Sequence, residues 1–179
     1  MESLSISEQK KIAKKIRRNV HNEPISCLLT SLCLYHGLAS REIASIRIDH
    51  INFEGRCIYF QERPPVYLTT EDLLILEQYV KERAQIKKID KKNFLIVSLI
   101  ASSYQDKSVS NLFINKKIKN FTGYTPKKLR ITCFCALSAM YGPQFLIEAF
   151  GLSLTQASRY GRIGEYIVEE EVYQQRDAL

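Results

Sequence analysis

Apolar residues return every fourth position at Ile12, Ile16 and Val20, and that narrow stripe predicts an amphipathic helix over residues 5–21. Ser5 or Ser7 can cap it, and Glu8 falls in its first turn. Asn22-Glu23-Pro24 breaks the pattern and opens a second helix over 25–36. This one is apolar on most faces, so it is expected at the centre of the core, and Gly37 ends it. A short helix follows over 40–46, capped by Ser40. Periodicity then changes: residues 57–60 and 66–69 read as strands, with Glu54-Gly55 as a turn before them and Glu62-Arg63-Pro64-Pro65 between them. Two strands alone are marginal, so this sheet must pack on helices.

Residues 70–83 read as a helix capped by Thr70, with Leu73, Leu74 and Leu76 inward. Residues 84–93 form a basic connection, and 94–101 are one apolar run that fits a strand or a buried helix equally well. Residues 108–121 form a basic amphipathic helix with Val109, Leu112, Phe113 and Ile118 inward, ended by Gly123. Thr125-Pro126 opens a long helix to Tyr141. Further helices are expected over 143–150 and 155–160, and a polar tail helix over 165–175. The fold class is therefore mainly α (α+β), with one small antiparallel β-sheet.

The 179 residues suit one domain with a sizeable core. Residues 1–163 are expected to form it, with 164–179 as a C-terminal tail helix. No run of about 18 apolar residues occurs, so no membrane partner is expected. The first residues lack the apolar core of a signal peptide. The 5 cysteines are scattered and form no pair of metal-binding pairs, so reduced thiols, a cytoplasmic location, no metal and no cofactor are expected. His21, His36 and His50 read as bystanders. The formal net charge is +7, which suits a polyanionic partner. The basic residues cluster at Lys10, Lys11, Lys14, Lys15, Arg17 and Arg18, at Lys87, Lys88, Lys91 and Lys92, and from Lys116 to Arg130. They are either a solvated face or contacts to nucleic-acid phosphates.

Candidate chemistry sits late in the chain. Tyr124-Thr125-Pro126-Lys127-Lys128-Leu129-Arg130-Ile131-Thr132 places an arginine near a helix start, where a guanidinium can grip a phosphate in bidentate fashion. Phe150-Gly151-Leu152-Ser153 and then Arg159-Tyr160 follow, and a tyrosine hydroxyl can attack a phosphate once its proton is lost. This order resembles the second half of the tyrosine recombinase (phage integrase) catalytic domain. That family reads His-x-Leu-Arg-His-Thr, then Leu-Gly-His, then the nucleophilic tyrosine. Leu34-Tyr35-His36-Gly37-Leu38-Ala39-Ser40-Arg41-Glu42-Ile43 is similar to the family's Thr-Gly-Leu-Arg-Ile-Ser-Glu-Leu stretch, and the two strands match its hairpin.

The resemblance implies a helical recombinase-like catalytic domain that binds double-stranded DNA. It implies Tyr160, Arg130 and Lys127 as the catalytic set, with no metal. Lys14, Lys15, Arg18, Lys116, Lys117, Lys119, Lys128 and Arg159 are the candidate DNA-binding residues. Several family positions differ. Ala39 stands at the first arginine. Arg41 lies two residues on, about 200° around a helix, and is expected to point elsewhere. Lys127 replaces the second-box histidine as a point charge. Leu152 replaces the third-box histidine, and the hairpin turn carries Arg63, whose high pKa makes it a poor general acid. Tyr160 lies one residue closer to Gly151 than the family spacing.

Three readings stay open. The first is a DNA-binding protein with impaired or no strand exchange, which the missing donors favour. The second is an active integrase using Tyr160 for DNA recombination and integration. The third is a protein-interaction module on the same scaffold. The resemblance also implies a homo-oligomer through the C-terminal tail, against the alternative of a tail folded on its own domain. Deleting the residues after Gly164 is expected to shift the protein toward monomer. An unchanged sedimentation profile from a full-length protein that is already monomeric counts against it.

Overall fold

The computed structural model describes residues 2–61, 63–86, 93–97 and 108–161. The tail helix, the domain boundary at 163, the basic connection at 87–92 and the end of the apolar run at 98–101 lie outside the described residues. Helix α1 (Ile6–Asn19) begins on a reciprocal cap: the Glu8 N–H donates to the Ser5 hydroxyl, and the Ser5 N–H donates to the Glu8 carboxylate. Its Ile12 and Ile16 are buried, as the four-residue repeat requires. Helix α2 (Pro24–Leu34) has all 11 of its residues buried, so it has no solvent face. Helices α1, α4 (Thr70–Ile86), α5 (Asn111–Thr122) and α6 (Pro126–Tyr141) pack around it. Each buried leucine of α2 contributes roughly 2 kcal/mol of transfer free energy.

The short helix α3 (Ser40–Ser45) leads through a 3-10 turn into a three-stranded antiparallel sheet of β1 (Ile51–Asn52), β2 (Cys57–Ile58) and β3 (Val66–Tyr67). Ile58 faces Ile51 on one side and Val66 on the other. Strand β1 adds the third strand that makes so short a hairpin viable. The run after α4 joins by backbone pairing: the Leu95 N–H donates to the Ile46 carbonyl at 2.7 Å, and the Ile48 N–H to the Asn93 carbonyl at 3.0 Å. Gly123 closes α5 in the left-handed conformation, and Thr125 caps α6. Helices α6 and α7 (Pro143–Phe150) bend by 118° across Gly142, and α8 (Leu154–Ala157) carries the chain to Tyr160.

Four expectations change. Ala39, not Ser40, is the N-cap of α3. Thr69, not Thr70, caps α4, with its hydroxyl accepting from the Asp72 N–H. Leu74 is 53% exposed and Leu112 is 75% exposed, while Ile75, Leu76, Ile114 and Ile118 face inward. A run of consecutive apolar residues leaves the inward face undecided, and moving the cap by one residue rotates the stripe by about 100°. His36 is no bystander, because its Nε2 lies 2.9 Å from Asp72. Among the described residues no single helix is long and apolar enough to cross a membrane.

Asp72 is the buried polar junction of the core. Its carboxylate accepts from the hydroxyls of Ser31 and Thr69, from the Thr69 N–H, and pairs with His36. Burial pushes the Asp72 carboxyl up. The hydrogen bond and charge of His36, and then the Ser31 and Thr69 hydroxyls, outweigh that and hold it below the ordinary carboxylate range. A carboxyl depressed on folding adds stability that is fully present above its unfolded pKa of about 4 and is lost as pH falls toward the folded value. Asp72→Asn is expected to cost about 3 kcal/mol in urea unfolding at pH 7. The gap from wild type should stay constant down to about pH 5 and close below pH 4. A gap that widens on acidification would contradict this account.

Candidate phosphate-binding site

One cavity of about 320 Å³ is lined by Arg41, Lys127, Arg130, Ile131, Phe134, Phe150, Gly151, Leu152, Gln156, Arg159 and Tyr160. Helix α6 supplies Lys127, Arg130, Ile131 and Phe134 from positions three to four apart, which lie along one face. Arg41 comes from the start of α3, and Gln156 from α8. Phe150 and Gly151 form the end of α7. Gly151 turns left-handed there and releases the chain toward Leu152.

Arg130 is held from behind. Its Nε donates to the Gly37 carbonyl at 2.8 Å, and its guanidinium lies 5.1 Å from the centre of the Phe134 ring. Neither contact uses its terminal N–H groups. The wall behind is aromatic: Phe134 meets Phe150 edge-on at 4.9 Å and Tyr160 edge-on at 5.6 Å. Burial raises the Tyr160 pKa above its ordinary value, and Cys135 adds to that, while Arg130 and Arg159 act in the opposite direction. The net shift makes the phenolate, the form that attacks, harder to reach than in a free tyrosine. Burial likewise holds the Cys133 thiol up at about 12, so it is an inert packing residue.

The three catalytic candidates Tyr160, Arg130 and Lys127 therefore meet in one cavity, joined by Arg159 from the DNA-binding set. Arg41 also reaches it, against expectation. The rotation of about 200° assumed that residues 39 and 41 share a helix. Ala39 is instead extended, with φ −76° and ψ 155°, and α3 starts only at Ser40. The third-box position presents Leu152, a carbon surface. Arg63 in the hairpin turn does not line the cavity. It pairs with Glu42 at 3.1 Å and stacks on Phe150 at 4.8 Å, with its side chain only 9% exposed.

The remaining basic candidates are scattered. Lys15 donates to the Phe121 carbonyl at 2.6 Å, and Lys128 pairs with Glu2 at 3.0 Å. Lys117 lies over the Phe113 ring. Arg18, Lys116 and Lys119 are exposed. Lys14 lines a wide surface depression with Lys10 and Lys11. A further cleft of about 260 Å³ between α1 and the α5–α6 junction is lined by Glu8, Lys11, Lys15 and Tyr124. The Tyr124 hydroxyl, and then Ser5, hold Glu8 down at about 2, so that cleft sets one carboxylate beside Lys11 and Lys15. Among the described residues no group of three or more His, Cys, Asp or Glu converges on a metal position.

The chain is similar in structure to a recombinase. Against the crystal structure of XerA recombinase the TM-score is 0.70 at 18% sequence identity. The match covers 98% of this chain and 66% of that one, so the chain spans just under two thirds of the XerA structure. No family model matches the chain, and no curated protein matches it. The likeness fixes the fold, a recombinase-like scaffold, and the cavity lies on that scaffold.

Gly37 is the pivot of the site, with φ +63°. A Cβ there would meet Phe134 at 2.7 Å and Phe150 at 2.9 Å, the two rings that wall the cavity. Gly37→Ala is expected to cost about 2–4 kcal/mol, from left-handed strain plus overpacking. Gly123 also has positive φ, but a Cβ there meets nothing within 4 Å. Gly123→Ala is therefore expected to cost only about 1 kcal/mol. Equal shifts of the two urea midpoints would remove the packing part of this account.

Proposed function

We propose that the chain is a DNA-binding protein on a recombinase scaffold, with impaired or absent strand-exchange activity. One observation carries the reading: a cavity presents Arg41, Lys127, Arg130 and Arg159, and no carboxylate among the described residues lines it. A backbone phosphate matches that charge, and the exposed bases on α1 and α5 extend the contact along a duplex. Three features support impaired chemistry. Leu152 offers no donor, Arg63 is buried in its pair with Glu42, and burial raises the Tyr160 pKa. Losing one well-placed donor to a developing charge typically costs about 10²–10³ in rate. On the same reading the tail beyond residue 164 carries self-association, and the protein works in the cytoplasm.

A second reading, an active recombinase with Tyr160 as nucleophile, is favoured by one observation, the presence of Arg41 in the cavity. In that reaction the tyrosine oxygen bonds to phosphorus, and the 5′-oxygen of the next nucleotide leaves and takes up a proton.

Duplex affinity is expected to fall steeply between low and physiological salt. Binding that is absent at low salt, or indifferent to salt, favours the protein-interaction module instead. On a nicked suicide substrate no covalent adduct is expected to accumulate. Ala39→Arg with Leu152→His should recover a trace of it. An adduct from the unaltered protein that Tyr160→Phe abolishes makes the chain an enzyme.

A further inference from the structure

A hydroxyl inside a helix ordinarily turns back to the carbonyl one turn earlier. Thr122 and Thr132 do so, donating to the Ile118 carbonyl at 2.8 Å and to the Lys128 carbonyl at 2.9 Å. Ser138 does not. It is 1% exposed near the end of α6, and its hydroxyl leaves the helix to donate to the Tyr160 carbonyl at 3.0 Å, 22 residues away. Its own carbonyl accepts the Gly142 N–H at 2.9 Å and closes α6. A buried hydroxyl committed to one distant backbone atom holds that atom in place, because losing the bond leaves a polar group unsatisfied.

The turn that carries Tyr160 is also held from other sides. The Tyr160 N–H donates at 2.9 Å to the carbonyl of Ala157, a buried residue. The Tyr160 ring meets Phe134 edge-on. Gly161 lies against the end of α6 and the start of α7: a Cβ there would stand 3.4 Å from Pro143 and 3.5 Å from the Ser138 hydroxyl oxygen. Lys127, Arg130, Phe134 and Ser138 follow one another at steps of three or four along α6, so they share a face. One helix face therefore carries two cavity cations and also sets the place of the tyrosine.

Independently of what the cavity binds, we infer that Ser138 is the positioning residue of Tyr160. Its hydroxyl, backed by the seat of Gly161 on Pro143, latches the tyrosine-bearing turn to α6 before any ligand arrives. Ser138 does not line the cavity, so it acts there only through Tyr160. Without the latch the turn keeps the Ala157 bond and the Phe134 contact alone, and the phenol swings toward water. The burial that raises the Tyr160 pKa is then lost.

The test uses the full chain made with meta-fluorotyrosine, whose fluorine reports the surroundings of each ring and whose hydroxyl titrates at lower pH than that of tyrosine. Tyr160→Phe assigns the signal. In wild type that signal should differ from free fluorotyrosine in position and titrate above it. In Ser138→Ala both should move at least halfway to the free values. Thr132→Ala, which deletes a buried hydroxyl from the same helix, should move neither. Gly161→Val, which wedges the turn off Pro143 and leaves Ser138 in place, should release the tyrosine as Ser138→Ala does. Duplex affinity of Ser138→Ala should stay within about 3-fold of wild type, since no cavity cation is moved. A larger loss makes Ser138 a support of the α6 cations and overturns a role confined to Tyr160. If Ser138→Ala keeps the wild-type signal and titration, if Thr132→Ala shifts them as far, or if wild-type Tyr160 already matches free fluorotyrosine, the latch is wrong. Should Ser138→Ala fail to fold, an unshifted signal in Gly161→Val overturns the latch in its place. A wild type that binds no duplex at low salt removes the DNA reading and leaves the latch to stand or fall on the fluorine signal.

Discussion

A helix with no solvent face sets the terms for everything else in this fold. Every residue of α2 is buried, so the chain must supply cover on all sides, and α1, α4, α5 and α6 are that cover. The cover is tied together at its edges by polar contacts between distant parts of the chain. The Leu4 N–H donates to the Thr132 hydroxyl, and the Tyr124 hydroxyl to Glu8. Ser31, the one α2 residue that reaches Asp72, links the helix to the start of α4. What leaves α2 at its C-terminal end is therefore fixed in position. Gly37 must turn there, and its carbonyl becomes the seat of Arg130.

The site follows from that turn and from the second, smaller core. Phe134, Leu146 and Ala157 form a satellite cluster, with Phe150, Leu152 and Tyr160 packed against it. Gly37, between Leu34 and Leu38 of the main core, abuts that cluster, since a Cβ there would meet Phe134 and Phe150. The guanidinium of Arg130 lies on one ring of that pair and the guanidinium of Arg63 on the other. Aromatic faces can hold both cations, but Arg130 has no carboxylate partner among the described residues. Arg63 is neutralised by Glu42, whose other oxygen receives the Ala39 N–H.

Most elements were legible in the sequence because their ends carry strong local chemistry. The Ser5 and Glu8 pair, Thr125-Pro126, Gly123 and Gly151 each mark a boundary where the structure has one. Faces were harder. Leu73, Leu74, Ile75 and Leu76 offer four apolar neighbours, and only the Thr69 cap and the Asp72 junction decide that Ile75 and Leu76 turn inward. Strand β1 was missed because Ile51–Asn52 has no alternation to read, and its pairing with Cys57–Ile58 depends on the turn between them. The convergence of Arg130, Lys127 and Tyr160 was legible through order along the chain. Arg41 was not, because its direction depends on one backbone angle pair at Ala39. The role of His36 was hidden for a similar reason: its partner Asp72 lies 36 residues away, and no local spacing signals it.

Holding a phosphate and cutting its ester place different demands on a cavity, and on the reading we propose this one meets them unequally. Binding asks for positive charge that is present before the ligand arrives, which four cations without a carboxylate partner among the described residues supply. Acceleration asks for groups that act more strongly on the transition state than on the bound ester, with a donor at the leaving oxygen and a nucleophile ready to lose its proton. Leu152 is carbon, the hairpin-turn cation is consumed by Glu42, and burial works against ionisation of Tyr160. A guanidinium pair grips ground state and transition state alike unless its geometry favours the latter. A scaffold can therefore keep a cavity charged for a phosphate after the means of breaking its ester have gone, which is the condition we propose for this chain.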